Sequence, residues 1–237
     1  MVEEQPEVRR VRLVVVATPF IFGGVFAACL LTPRLVVHFL QLSLSLRGET
    51  GVALAGTLLA ELISLRLLTA WLWKTKRSVT SLGWRARGTV VAYIAAVVLA
   101  LLYATGTLAT PAVLSHMAEG SALKLWGVIC TLVAAGVEET IFRGFVMSEL
   151  QAIGAPAGMQ ILLSGLNYAV ARYWVTLAYG PLNLLFPLPT LLVTTIFGMF
   201  LGGVYLLGRR SLLPPVLAHG LINLLVEPWV IMASISW

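Results

Sequence analysis

Residues Thr89–Leu108 read TVVAYIAAVVLALLYATGTL, twenty consecutive residues without a charged side chain. A helix of that length is about 30 Å long, which matches the hydrocarbon thickness of a bilayer. The basic segment Lys74–Arg87 precedes this stretch, and Thr110-Pro111 follows it. We therefore interpret Thr89–Leu108 as a transmembrane helix.

Stretches of similar length and hydropathy recur along the chain, which is 59% hydrophobic and only 11% charged. A typical soluble domain is about 25% charged. The sequence therefore predicts an all-α fold, a polytopic membrane helical bundle of about seven transmembrane helices, within a range of six to eight. We expect Thr32-Pro33 to end the first helix and Leu35–Leu46 to lie in the interface or to extend the second. The other predicted spans are roughly Leu13–Leu31, Val52–Trp73, Leu123–Met147, Ala157–Leu177, Leu188–Leu207 and Leu213–Ile231.

Basic residues are distributed unevenly between these spans. With the N-terminus inside, ten lie on the cytoplasmic side and three outside, the bias expected of a membrane protein with an external C-terminus. The ten are Arg9, Arg10, Arg12, Lys74, Lys76, Arg77, Arg85, Arg87, Arg209 and Arg210, and the three are Arg34, Arg47 and Lys124. Because they lie between apolar spans, the net charge of +6 does not indicate a nucleic-acid partner. The predicted organisation is a cytoplasmic tail at residues 1–12, transmembrane helices at 13–115 and a second membrane domain at 120–232.

The fourth span carries three ionisable side chains, Glu138, Glu139 and Arg143. Inserting one such group at mid-membrane costs about 2.5–3.5 kcal/mol of free energy. We therefore expect each group to have a polar partner or a functional role. Glu139 and Arg143 are four residues apart with the acid first, the favourable order for a helical ion pair. Glu138 lies about 100° around the helix from Glu139, so it has no partner in its own helix.

The fifth and seventh spans carry polar pairs at the same spacing, Tyr168 with Arg172 and His219 with Asn223. Residues four apart share a helix face, so the three spans can direct these groups into one buried pocket. Taken singly, each residue is more simply explained as a hydrogen-bonding contact between helices. Taken together they favour a working site, because adjacent glutamates double the cost of insertion. In the second span, by contrast, Glu61 is a lone polar residue. We interpret it as having a structural role, or as a side chain that extends to the membrane–water interface.

The pattern Glu138-Glu139-x-x-x-Arg143, followed by His219-x-x-x-Asn223, resembles the CPBP family of intramembrane proteases. This family includes the type II CAAX prenyl endopeptidases and bacteriocin-processing or immunity proteins. The resemblance implies that residues 120–232 form a catalytic-core membrane domain. It also implies that Glu138 is the general base that activates water, that Glu139 and Arg143 orient the site, and that His219 and Asn223 polarise the scissile carbonyl or form the oxyanion hole.

The chain departs from the family at its middle motif, FxxxH. Here the corresponding residues are Tyr168-Ala169-Val170-Ala171-Arg172, so arginine stands in the place of the second histidine. Arginine cannot accept a proton or ligate a metal at neutral pH, but it can donate to an oxyanion or clamp a substrate carboxylate. A direct ion pair between Arg172 and Glu138 would weaken the base and favour a non-catalytic relative. One histidine and two carboxylates are a small ligand set for zinc. No cofactor is therefore expected, although the sequence does not exclude a divalent metal.

Three functions are compatible with the sequence. The favoured one is an intramembrane endopeptidase that cleaves a membrane-embedded or lipid-anchored peptide or protein, for example in the removal of a C-terminal sorting signal. The second is a catalytically impaired relative that binds or regulates a membrane partner. The third is a small transporter, which is disfavoured because the chain shows no inverted repeat. The expected partners are the bilayer and a membrane-protein or lipid-modified substrate. The expected location is a bacterial inner (cell) membrane, with the N-terminus in the cytoplasm.

Overall fold

The computed structural model describes residues 6–41, 43–116, 121–179 and 187–235, and within these ranges the fold is entirely helical, without strands. A 3₁₀ turn at Val79–Leu82 and a π-helical turn at Thr140–Val146 interrupt the α-helices. The α-helices are α1 (Pro6–Phe39), α2 (Leu46–Lys74), α3 (Val90–Leu108), α4 (Pro111–His116), α5 (Ser121–Glu139), α6 (Met147–Ala152), α7 (Ala157–Tyr179), α8 (Pro187–Leu207) and α9 (Leu213–Ile235). The prediction of an all-α fold is confirmed for this part of the chain.

The first helix is longer at both ends than the sequence predicted. It begins at Pro6, so the predicted tail is helical from that residue onward, while residues 1–5 lie outside the described ranges. It also continues through Pro33 to Phe39, so the prediction that Thr32-Pro33 ends the helix was wrong. An internal proline removes one hydrogen bond of the helix. In a membrane no water competes for the remaining backbone groups, and the helix therefore persists.

Within the described ranges, three helical segments are long and apolar enough to cross a membrane: Val8–Val37, Gly48–Lys74 and Val90–Leu108. The helices at Leu191–Leu207 and Leu213–Val226 are shorter but also apolar. Large apolar side chains cover the outside of the bundle: Leu102 of α3, for example, is 70% exposed. Such a surface suits lipid and would be unfavourable in water. The chain is an integral membrane protein.

The helices from the two halves of the chain pack into one bundle. Helix α1 lies along α7, α2 lies along α5, and α3 lies along α9, while α7 and α8 are close neighbours. Each of the first three helices therefore packs against a later one, and α5 contacts both α2 and α9. This arrangement allows a side chain from α2 to reach the polar groups of α5.

The basic loops after α2 and after α8 lie at the same end of the bundle. The amide of Leu212 donates to the carbonyl oxygen of Gly83 at 3.2 Å, which joins the two loops directly. Arg77, in the loop after α2, is ion-paired with Glu149 of α6. The basic residues of these two loops, including Arg209-Arg210, therefore lie at one end of the bundle.

Helices α7 and α8 are in close backbone contact at two glycines. A Cβ atom on Gly198 would lie 2.9 Å from the Cα of Gly165, closer than side-chain carbons come in proteins. Small residues at such crossings let membrane helices pack backbone against backbone. The contact also fixes the carbonyl oxygen of Gly198, which accepts a hydrogen bond from Arg143 Nη2 at 3.0 Å.

Replacing Gly198 by alanine is expected to destabilise the protein by about 1–3 kcal/mol, because the added methyl forces α7 and α8 apart. Gly203 on the same helix is the matched control, because a Cβ there meets nothing within 4 Å. Gly203→Ala is expected to be neutral or to stabilise by up to about 1 kcal/mol through helix propensity. Unfolding of the two variants in mixed micelles measures the difference. Equal stabilities would contradict the close contact.

Candidate active site

The paired glutamates lie where α5 passes into the π-helical turn Thr140–Val146. Such turns are rare and frequently occur at functional sites, because they change the direction in which side chains leave the helix. The hydroxyl of Thr140 donates to the carbonyl of Gly136 at 2.6 Å and accepts from Trp84 Nε1 at 3.0 Å. The loop after α2 therefore packs against the start of the turn.

The centre of the site is the ion pair that the sequence predicted between Glu139 and Arg143. Arg143 Nη1 lies 3.0 Å from Glu139 Oε1, and both side chains are fully buried. His219 Nδ1 lies 2.8 Å from the same carboxylate oxygen. The spacing argument from α5 is confirmed, and Glu139 also fixes the orientation of the imidazole from α9.

Glu138 points away from this ion pair, as its position on the helix predicted, and meets two other side chains. Its Oε1 atom lies 3.1 Å from Arg172 Nη1 of α7. Its Oε2 atom lies 3.6 Å from His219 Nε2 and has no hydrogen-bond partner. With Nδ1–H donating to Glu139, the Nε2 atom of His219 is the nitrogen that faces Glu138.

The direct ion pair between Arg172 and Glu138 is the contact expected of a non-catalytic relative. The two side chains differ in exposure, 24% for Arg172 and none for Glu138. Arg172 therefore lies at the edge of the site, where a charged ligand could reach it, and Glu138 lies inside. Because the Glu138 side chain has one oxygen bound and the other without a partner, its carboxylate is only partly satisfied.

Aromatic rings enclose these groups. The Cζ atom of Arg143 lies 4.8 Å from the centroid of the Tyr168 ring, a cation–π contact. The same ring meets His219 edge-on, with centroids 6.0 Å apart, and Phe197 of α8 meets His219 at 5.8 Å. Tyr168, predicted as a supporting residue, thus forms a wall that holds both the guanidinium and the imidazole.

Asn223 is buried on α9 but does not join this cluster directly. Its Nδ2 atom donates to the carbonyl oxygen of Thr131 on α5 at 3.1 Å. It lies one turn from His219 along α9, about 6 Å of helix rise. The structure brings together the other predicted site residues and places the amide of Asn223 against the α5 backbone.

Glu61 of α2 belongs to the cluster, so the prediction that it is a lone residue was wrong. Its side chain is fully buried, so it does not reach the interface. Its carboxyl lies beside that of Glu138 and within electrostatic range of Arg172. No local spacing in the sequence predicts this neighbour. The only available signal was that a charged residue inside a span is costly and calls for a partner.

Among the described residues, no group of three or more His, Cys, Asp or Glu side chains could hold a metal ion. One oxygen of Glu139 is bound to Arg143 and one oxygen of Glu138 is bound to Arg172, so each carboxylate already has a cationic partner. The expectation that no cofactor is needed remains a prediction. Cys29 and Cys130 are free thiols.

This buried cluster of two adjacent glutamates, an arginine and a histidine on neighbouring apolar helices is similar to the site expected of a CPBP-type intramembrane protease. Residues 120–225 match the family model described as Type II CAAX prenyl endopeptidase Rce1-like. Over this segment the chain matches the model of that family, which confirms the resemblance identified from the sequence. No curated protein and no solved structure matches the chain. The matched segment contains Glu138, Arg172 and His219 but not Glu61.

Proposed function

We propose that the protein is an intramembrane endopeptidase that uses Glu138 to activate water. One observation carries the proposal: inside an apolar bundle, the free Oε2 atom of Glu138 faces His219 Nε2 at 3.6 Å. A water bound to both atoms, to one side of the line that joins them, would give a proton to Glu138 as its oxygen attacks the scissile carbonyl carbon. Glu138 would then return the proton to the leaving amine as the C–N bond breaks. With its proton on Nδ1, His219 offers Nε2 only as an acceptor, so it would hold this water. Asn223 would stabilise the oxyanion after its amide leaves the carbonyl oxygen of Thr131.

The proposed substrate is a membrane-embedded or lipid-anchored peptide or protein that is cut near its C-terminus, as in sorting-signal removal. Arg172 supports this choice, because its partly exposed guanidinium could bind a substrate carboxylate through two parallel hydrogen bonds. A bound carboxylate would compete with Glu138 for Arg172. Binding of the correct substrate would therefore release the base from its ion pair at the moment when it is needed.

We further propose seven membrane crossings, with the N-terminus in the cytoplasm of a bacterial cell and residues 120–232 as the catalytic core. The proposed crossing elements are α1, α2, α3, the rod from α5 to α6, α7, α8 and α9. Support comes from the ten-to-three distribution of basic residues and from the hydrogen-bonded contact between the loops after α2 and α8. In this topology the Glu149–Arg77 ion pair faces the cytoplasm.

The second candidate is a catalytically impaired relative that binds or regulates a membrane partner. The specific observation that favours it is the 3.1 Å ion pair between Arg172 and Glu138, since a carboxylate held by a guanidinium is a weaker base. The two candidates differ in what happens to this pair. In a peptidase the substrate displaces Arg172, whereas in an impaired relative the ion pair persists when the partner binds.

The test uses purified protein in proteoliposomes, a chelator, and a lipid-anchored reporter peptide that ends in either a free carboxylate or an amide. We expect the acid to be cleaved at least about tenfold faster, because a charge-assisted hydrogen bond is worth about 1.5–3 kcal/mol. Arg172→His is expected to reduce this ratio towards one and to cleave the amide faster than the wild type does. Measured rates of product release give both quantities.

Arg66→His is the matched control, because Arg66 is an exposed arginine on α2, away from the cluster. It should leave the acid-to-amide ratio unchanged. Cleavage by Arg172→His but not by the wild type would favour the impaired relative. Absence of cleavage by both proteins, for peptides of several sequences, would contradict the peptidase proposal.

A further inference from the structure

The carboxyl group of Glu61 has no hydrogen-bond donor to satisfy it. Its side chain is fully buried, and neither of its oxygens has a hydrogen-bond partner. It lies beside the carboxyl of Glu138, whose Oε2 atom is also without a partner. Two unsatisfied carboxyl groups side by side in a buried site are unfavourable if both are ionised, since like charges at short range repel strongly in a low dielectric.

The charges around Glu61 do not balance unless the cluster holds one additional proton. Among the described residues, the charged groups that act electrostatically on Glu61 are Glu138 of α5 and Arg172 of α7. The neighbouring ion pair of Glu139 and Arg143 is neutral by itself. Two ionised carboxylates against one guanidinium leave a net charge of −1, which a buried site cannot hold without a large cost. One additional proton makes the cluster neutral.

The imidazole of His219 is the other group that could carry this proton. Its Nδ1 atom is already 2.8 Å from Glu139, and its Nε2 atom is 3.6 Å from Glu138 Oε2, beyond a good hydrogen bond. A proton there would still leave both oxygens of Glu61 unsatisfied. A proton between the two carboxyls instead converts their repulsion into a hydrogen bond, and it provides the donor that Glu61 lacks.

We propose that Glu61 and Glu138 form a carboxyl pair that shares one proton. Glu61 thereby supplies a second titratable group, in place of the histidine at whose position this chain has Arg172. The inference rests on the proposed peptidase function and names a proton partner outside the family-matched segment. Glu61 does not touch the substrate and acts only through Glu138. It is therefore a positioning residue for the proton and not a catalytic residue.

The proton balance of the reaction follows. As water attacks the carbonyl carbon, Glu138 accepts a proton from water and the shared proton moves fully onto Glu61. Glu138 then gives its proton to the nitrogen of the leaving amine, the C–N bond breaks, and the carboxylic acid product forms. The proton on Glu61 returns to its shared position between the two carboxyls. One water is consumed, and the protein ends in its starting protonation state.

The first measurement is independent of activity. Infrared difference spectra of the whole protein in lipid at neutral pH should show the carbonyl band of a protonated carboxylic acid. Glu61→Gln and Glu138→Gln should each remove that band, because each destroys the pair. The exposed Glu49, in the first turn of the same helix, gives the control Glu49→Gln, which should leave the band in place. Absence of the band in the wild type, or its survival in Glu61→Gln, overturns the proposal.

The second measurement is the dependence of the cleavage rate on pH. Glu61→Gln is expected to lower the rate by about 100-fold and to remove the loss of rate at alkaline pH, where the shared proton leaves. Glu61→Asp, which keeps a carboxyl group, should retain part of the rate and this alkaline limb. Introducing Arg172→His into Glu61→Gln should recover at least tenfold, because an imidazole can carry the proton.

A purely structural or counter-ion role for Glu61 would change stability without removing the alkaline limb, and it would give no protonated-carboxyl band. An unchanged rate and pH profile in a folded Glu61→Gln variant would overturn the pair while leaving the peptidase function intact. The expected bands without cleavage of any reporter would establish the proton pair and reject the peptidase function.

Discussion

Replacement of Glu138 by glutamine is expected to lower the rate of reporter cleavage by at least about 100-fold, with the protein still folded. Glutamine has nearly the same shape and can still contact Arg172 and His219, but it cannot take a proton from water. The fold should survive because the Arg172 side chain is 24% exposed and is not left as a fully buried, unpaired charge. The measurement is product release in proteoliposomes, with thermal unfolding recorded in parallel.

Glu149→Gln is the matched control for this prediction. Glu149 follows Glu138 along the same helical rod and is likewise a buried acid, paired with a partly exposed arginine, Arg77. It lies outside the cluster, so its replacement should change stability slightly and leave the cleavage rate within about twofold of the wild type. A folded Glu138→Gln variant that still cleaves would exclude Glu138 as the base.

Replacement of Arg143 by methionine is expected to destabilise the protein by about 3–5 kcal/mol and to abolish cleavage. The variant leaves Glu139 buried without its guanidinium partner, and an uncompensated charge in a buried site is among the most costly defects. It also removes the hydrogen bond from Arg143 Nη2 to the carbonyl of Gly198. Unfolding in mixed micelles measures the loss of stability.

The double variant Glu139→Gln/Arg143→Met separates the ion pair from simple packing. It removes both charges, and glutamine can still accept a hydrogen bond from His219, so much of the lost stability should return. Arg66→Met, at an exposed position on α2, should change stability by no more than about 0.5 kcal/mol. Equal stabilities for the single and the double variant would show that the unpaired charge is not the cause.

Sequence alone predicted those features that depend on local physics. The length of an apolar stretch determines whether a helix can cross a bilayer, and the spans of α3, α7, α8 and α9 were found within a few residues. The fixed geometry of a helix predicted that Glu139 would bind Arg143 and that Glu138 would face elsewhere.

Features that depend on which helices are neighbours were not accessible in this way. Nothing near Glu61 in the sequence indicates that α2 lies along α5, so its place beside Glu138 required the three-dimensional packing. The contact between Arg172 and Glu138 joins residues from two helices, and it was anticipated only as one alternative. Asn223 shares a helix face with His219, but the side chains of α5 decide which partner each one meets.

The π-helical turn after Glu139 also has a consequence for how sequences of this kind should be compared and engineered. Such a turn is in effect one extra residue inserted into an α-helix, so everything that follows is rotated by about 100° relative to a straight helix. The end of α5 therefore directs the glutamates towards α2, α7 and α9, while α6 independently directs Glu149 towards Arg77. A sequence graft that keeps the glutamates but restores a regular helix would lose this separation. The extra residue is thus as much a part of the site as any side chain in it.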